Sequence, residues 1–395
     1  MRITLCDNQA EWNQAVLQLG GTLYQSWQWG ELRRSRGWLP WRVLVEDAGT
    51  VQAAMQIFER RTPLVPAIIL YAPHGIARRR GEFTLLDGLV EWLRGFLAER
   101  KAVFLRIDPD IADTDEQEKS RLTGAGFRSL SDWGSIWNQP RATMVLDIAP
   151  SERDLLNGMR RAHKQHICQG PKKGLTFECG SDVRHVQTFY DLLRKSSQRK
   201  GYSVRGGRDY FLEMQRTLLA EENGRIFLAF HEREAVAGVL CSRFGDRCHN
   251  LYNGFDWHAR NLGANQPLQW KAIQWAKDAG CRWYDTGGLG TSYPPTEGNL
   301  GYGVYNYKKG FGATVRHSLG LFDLVNRPAS YAVLRSLERQ HFLRAFRSVD
   351  GFWSRANSFS AKGQRMTAAA DHDQLQRHAQ DRAAGEMTPS TAPIP

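Results

Sequence analysis

Twice along this chain the hydrophobic pattern runs through the same order of periods: alternation, then helical spacing, then one more apolar strand. Alternation with a period of two marks strands and spacing near 3.6 marks helices, so the order itself suggests two α/β units of similar layout in tandem. In the first unit SWQWGELRRSRGW (26–38) reads as a short aromatic and basic helix. WRVLVEDAGTVQAAMQIFER (41–60) alternates across a turn at Asp47, Ala48 and Gly49, as a hairpin does. PAIILYAPHG contains a buried strand, the apolar positions from Leu85 to Leu97 keep helical spacing, and VFLRIDPDI (103–111) is a strand that stops at Pro109.

The second unit opens with the strand TMVLDI (143–148) and a basic helix, SERDLLNGMRRAHKQHI. Helices around DVRHVQTFYDLLRKSSQRKG and from Asp209 follow, then a hairpin of GRIFLAFHE and AVAGVLCSRFG, the strand CHNLYNGFD, the helix PLQWKAIQWAKDAG and the strand RWYDTGG. Pro267 in the first turn of that last helix and Gly280 just past its end have the expected asymmetry. The layouts match without an evident sequence repeat. The reading is therefore a first domain over 1–142 and a second over 143–350, whose terminal helix can return to the first. A flexible tail follows over 351–395, too polar to bury a core.

A length of 395 residues suits two domains, and a formal net charge of +12 favours polyanionic partners: nucleic acid, an anionic membrane surface or a phosphorylated substrate. The six cysteines show neither CxxC pairs nor zinc spacing and read as reduced, mostly packed thiols, which points to the cytoplasm. MRITLCDNQAEW has charge and amide where a signal peptide is apolar, and the longest apolar run is short and broken by proline. A cytoplasmic protein without a membrane span is expected, able to sit peripherally at the inner face of the membrane.

Two stretches bear on chemistry. In YNYKKGFGA (305–313) Lys308 and Lys309 stand between aromatic rings and a Gly-Phe-Gly turn, where glycines permit close backbone approach to a ligand. RNLGAN (260–265), opening a helix, resembles the phosphate-cradling turn of acetyl-CoA-dependent N-acyltransferases, with Asn265 where a small residue is usual. His163 and His166 lie three apart on a helix crowded with Arg160, Arg161 and Lys164, a basic face for phosphates or simply an exposed one.

Taken in order, YQSWQWGELRR, LRIDPD, QPRATMVLDI, FYDLLRKSSQRKGYSVRGGRDYF, LYNGFD, WYDTGGLG, YKKGFGA and GLFDLVNRPASY resemble the FemABX family of peptidoglycan bridge-forming aminoacyltransferases, over about residues 20–345. The resemblance implies an α/β (α+β) fold of two tandem acetyltransferase-like (GNAT-like) domains, here without the coiled-coil arm that some members carry. It implies transfer of an amino acid from aminoacyl-tRNA to the stem-peptide amine of lipid II or UDP-MurNAc-pentapeptide. Aminoacyl-tRNA is then a co-substrate, with no cofactor and no metal: an aminoacyl ester is already activated, and aminolysis needs a positioned amine, oxyanion stabilisation and a proton path.

Carried over residue by residue, the resemblance makes Lys308 the cation near the reaction centre, Asp108 the acid that orients or deprotonates the acceptor amine, and Tyr252 a cleft tyrosine. Asp108 also suits a strand-ending turn, and Tyr252 also suits core packing. Arg33 stands where the family has a phosphate-binding lysine. In RKGYSVRGGRDY, Arg205 matches the second phosphate ligand, with Tyr210 as its cleft neighbour and Arg199 as the alternative. Asp285 reads as a structural turn. An acyl-CoA-dependent N-acyltransferase and a non-catalytic tRNA- or membrane-binding protein remain as competing readings.

Overall fold

The structure, a computed structural model, describes residues 1–62, 67–79, 85–130, 139–199, 204, 207–289, 296–297 and 301–340. The tail read from the sequence lies outside these residues. Among them the strands form two mixed sheets. The first holds β1 (Arg2–Leu5), β2 (Leu39–Asp47), β3 (Thr50–Arg61), β4 (Ile68–His74), β5 (Ala77–Arg78), β6 (Ala102–Pro109) and β7 (Arg128–Leu130). The second holds β8 (Ala142–Asp147), β9 (Thr176–Gly180), β10 (Gly224–His231), β11 (Glu234–Phe244), β12 (Arg247–Phe255), β13 (Trp283–Gly288) and β14 (Thr314–His317). The last strand, β15 (Leu321–Val325), returns to the first sheet, whose order is β1-β2-β3-β4-β6-β15-β7 with β5 against β3. The second sheet runs β14-β8-β13-β12-β11-β10-β9.

The duplicated layout is visible in the pairing. Each sheet has an antiparallel meander, β2–β3–β4 or β10–β11–β12, followed by one parallel neighbour, β6 or β13. A parallel neighbour cannot be reached by a tight turn, and among the described residues one α-helix lies in each connection: Leu86–Glu99 in the first sheet, Asn265–Asp278 in the second. The first of these buries Leu86, Leu89, Val90, Leu93, Phe96 and Leu97, the helical-period positions of the sequence. The β2–β3 turn places Ala48 and Gly49 at φ 47° and 77°, the left-handed pair a two-residue hairpin loop favours.

One core spans both sheets. Phe58 of the first sheet, with Trp29, Leu32 and Trp38 from the segment before it, packs with Leu240 of the second and with Phe189, Phe211 and Met214 of the helices Val183–Arg199 and Gly207–Thr217, and Tyr331 and Leu334 of the helix at 328–340 join them. That helix is tied down by charge as well. Buried Arg106 on β6 donates to Asp323 of β15 at 2.8 and 2.9 Å and to Glu338 at 2.6 Å, while the Tyr331 hydroxyl donates to Asp323 at 2.9 Å.

Three expectations change. The basic helix expected from Ser151 is two helices, Glu152–Gly158 and Arg161–Gln169, because Met159 and Arg160 are extended and the Arg160 N–H donates to the Gly310 carbonyl at 2.8 Å. His163 is buried, not on an exposed basic face: its Nε2 lies 2.9 Å from the Tyr307 carbonyl and its ring packs on Phe311. Of the six free cysteines, Cys241, Cys248 and Cys281 are buried but Cys168 and Cys179 are exposed. No helix among the described residues is long and apolar enough to cross a membrane.

Candidate active site

The C-terminal ends of the two parallel pairs meet at one cleft, where the ends of α/β strands commonly place ligands. Pairing of β4 with β6 runs on to Pro73–Asp108 and His74–Pro109; pairing of β12 with β13 stops at His249–Asp285, after which the strands part. Asp108, Asp110, His74 and Tyr24 form one wall, His249, Asn250, Asp285, Gly287 and Gly288 the other, and Arg141 and Arg316 flank them. The cleft is narrow, about 40 Å³.

Asp108 closes β6 and is almost fully buried. Its Oδ2 accepts from the Tyr71 hydroxyl at 2.7 Å and from the Gln139 N–H at 2.6 Å, and its Oδ1 accepts from the His74 N–H at 2.8 Å. A carboxylate has about four acceptor positions, so roughly one is left for a ligand. Burial pushes its pKa up to about 6 against those hydrogen bonds, which keeps it ionised at neutral pH but poised for proton exchange.

Asp110 joins the sheets. It accepts from Arg247 of β12 at 3.1 Å and from Arg316 of β14 at 2.6 Å. Burial alone would raise this carboxyl, yet neighbouring positive charge holds it well below the usual carboxylate range. His74 is pushed down to about 4 by burial, so at neutral pH the two guanidinia supply that charge.

On the second wall Asp285 bonds through Oδ1 to the Gly287 N–H at 2.8 Å, the turn expected of it, but it is also a wall of the cleft. Lys308 is buried just behind, donating from Nζ to the carbonyls of Gly287 and Gly288, both at 2.7 Å. Two of its three donors are thus engaged. Burial brings its pKa down to about 8, with Asp285 opposing the shift. The glycine after Lys309 serves a different neighbour than a ligand: a Cβ on Gly310 would meet the His163 ring at 2.3 Å. Lys309 is exposed.

Arg33, Tyr210 and Tyr252 come together beside Tyr71. Tyr210 and Tyr252 share a hydrogen bond, Tyr252 packs on Phe211 with ring centroids 5.1 Å apart, and both tyrosines and Tyr71 lie within electrostatic reach of Arg33. The Arg33 guanidinium lies 5.1 Å from the centre of the Trp38 ring and Arg60 lies 5.3 Å from it, and neither arginine has a carboxylate partner among the described residues. Burial lowers the pKa of Arg33, a cost that a bound anion offsets.

The structure therefore groups Asp108 and the glycines held by Lys308 in one cleft and sets Arg33, Tyr210 and Tyr252 next to it, linked through Tyr71. Tyr252 does not line the narrow part. Arg205 and the Arg199 side chain lie outside the described residues. Missed in the sequence were His249 and the trio Asp110, Arg247 and Arg316; His249 sits within CHNLYNGFD, three residues before Tyr252, where strand alternation alone gave no sign of a polar wall. The helix expected to cradle phosphate, Asn265–Asp278, has its start covered: the Cβ position of Gly263 is 3.1 Å from the His166 ring, and that of Gly170 is 3.0 Å from Pro267.

Two sheets, each with a meander and a single parallel crossover, meeting at a polar cleft define a tandem acetyltransferase-fold protein. Residues 157–309 match the acetyltransferase (GNAT) domain family. The solved structure of FemX is similar with a TM-score of 0.76 at 21% identity, over 84% of this chain and 99% of that one. A tandem GNAT protein from the clavulanic acid biosynthesis pathway is similar with a TM-score of 0.50 at 11% identity, over 82% and 98%. In sequence, the lipid II:glycine glycyltransferase of Staphylococcus saprophyticus is 22% identical over 383 residues, 80% of this chain and 91% of the relative. These similarities bear out the resemblance to the FemABX family and the tandem GNAT-like fold.

Proposed function

We propose that this protein is an aminoacyltransferase that moves an amino acid from aminoacyl-tRNA to the stem-peptide amine of a peptidoglycan precursor, lipid II or UDP-MurNAc-pentapeptide. The observation that carries the reading is the cleft: a buried carboxylate with one free acceptor position, Asp108, faces a backbone wall of Gly287 and Gly288 fixed by a buried cation, Lys308. The length over which the chain matches a lipid II:glycine glycyltransferase supports the same reaction class.

In this reading the acceptor amine hydrogen-bonds to Asp108 and attacks the ester carbonyl. The new C–N bond forms first, turning the carbonyl into a tetrahedral oxyanion; its collapse breaks the C–O bond to ribose, and the amine proton, passed by way of Asp108, lets the ribose oxygen leave as a hydroxyl. Lys308 supplies fixed positive charge behind the wall as the oxyanion develops. Arg33, with Arg60 beside it, binds the diphosphate of the precursor as a bidentate fork, and Tyr210 and Tyr252 shape that approach. The covered start of the Asn265–Asp278 helix disfavours acyl-CoA as the donor.

The test is one incubation with both precursors, charged tRNA in one tube and acetyl-CoA in another, followed by mass spectrometry. A gain of one aminoacyl residue that requires charged tRNA and disappears in Lys308→Ala supports the reading. Transfer from acetyl-CoA, or modification of neither precursor, removes it.

A further inference from the structure

We infer that Asp285 and His249, with the ring of Tyr24, form a subsite for a primary alkylammonium group inside the cleft. The inference rests on the aminoacyl-transfer reading for which reactant brings that group. It stands on one open acceptor atom, Asp285 Oδ2, and on the two rings beside it. Asp285 is 8% exposed, and its Oδ2 accepts no hydrogen bond among the described residues; it lies 3.8 Å from His249 Nδ1. His249 is 2% exposed, and its Nε2 has no hydrogen-bond partner among them either. The Tyr24 ring meets the imidazole edge-on, centroids 5.5 Å apart, and all three residues line the cleft.

The nearby cations are committed elsewhere: Lys308 to two carbonyls, Arg247 and Arg316 to Asp110. The wall thus offers a carboxylate oxygen flanked by an uncharged imidazole and an aromatic ring. A primary ammonium carries three donors and no acceptor, and it is drawn to aromatic faces. An anion meets repulsion from Asp285, and a neutral amide brings no positive charge to the Oδ2 that lacks a donor. Burial raises the pKa of Asp285 and drives that of His249 well down, so the imidazole stays neutral and brings no competing positive charge to Asp285.

Two groups have this chemistry: the α-ammonium of the transferred aminoacyl unit and the side-chain ammonium of the acceptor peptide. If the first occupies the subsite, Asp285 and His249 separate aminoacyl from plain acyl donors on an acetyltransferase fold.

The test follows the His249 imidazole signals by NMR, assigned with His249→Gln, while three probes are titrated into the full chain. Glycinamide carries only an α-ammonium, Nα-acetyl-lysine amide only a side-chain ammonium, and N-acetylglycinamide neither. Saturable shifts with either ammonium probe and none with N-acetylglycinamide are expected, and the responding probe names the source. Asp285→Asn should weaken that binding at least about tenfold. Equal shifts from N-acetylglycinamide, no shift from any probe, or unchanged binding in a folded Asp285→Asn protein overturn the inference. If that variant does not fold, the probe series on the unsubstituted protein decides alone. Ammonium binding without aminoacyl transfer counts against the proposed reaction and leaves the subsite standing.

Discussion

Asp110, just past the end of β6, and Arg316 of β14 are joined twice: Nη1 donates to Oδ1 at 2.6 Å and Nη2 to the Asp110 carbonyl at 2.9 Å. With Arg247 on the same carboxylate, this is the polar counterpart of the shared apolar core, and it sits in the wall of the cleft.

Asp110→Asn leaves two guanidinia without their anion and should cost about 2–3 kcal/mol, read by urea unfolding at pH 7. The folded carboxyl titrates below its unfolded value, so its contribution is present above about pH 4 and fades as pH falls further. The Asn variant should lose that part of the acid sensitivity. An identical acid-unfolding profile for the two proteins would show the clamp to be inert.

The pH dependence of kcat/KM should be a bell. It rises through about 6 as Asp108 ionises and falls through about 8 as Lys308 loses its proton. Asp108→Asn should flatten the acid limb with a large loss of rate. Lys308→Arg, which stays charged, should remove the alkaline fall; an unchanged fall assigns it to another group.

Removing the ammonium in Lys308→Ala leaves the Gly287 and Gly288 carbonyls without donors and should cost about 1–3 kcal/mol of stability. Rate should fall much further than stability explains. Calorimetry alongside single-turnover kinetics separates the two, and equal losses in both would make Lys308 purely structural.

Arg33→Ala should raise KM for the diphosphate-bearing precursor about tenfold or more with little change in kcat, and Arg33→Lys should recover part of it. The same KM for a precursor stripped of its diphosphate, in wild type and variant, is the expected control. A fall in kcat alone would move Arg33 out of the binding role.

Much of the fold was legible because hydrophobic period reports burial: the Leu86–Glu99 helix, the β2–β3 hairpin and the strand–helix–strand order at both crossovers follow from spacing, while the parallel pairing comes from the tertiary fold. The basic helix was read as continuous because nothing in NGMRRA shows that the Arg160 N–H is claimed by Gly310, 150 residues onward. β9, β14 and β15 are short edge or inserted strands, whose partners are set by tertiary pairing. In the site, Asp108 and Lys308 stood out through motifs. His249 did not: a buried imidazole on a strand has the same alternation as a core residue, and only the parting of β12 from β13 exposes it to the cleft.

The return of β15 also has a consequence for biosynthesis. β6 is made early, but its neighbour β15 and the anions for Arg106, Asp323 and Glu338, leave the ribosome more than 200 residues later. Until then β6 has an unpaired edge and a guanidinium that cannot be buried without loss, so the N-terminal sheet cannot finish before the whole second sheet has been translated. β8 waits as well, because its two neighbours, β13 and β14, are the last strands of its own sheet to be made, so neither sheet can close until nearly all of both has been translated.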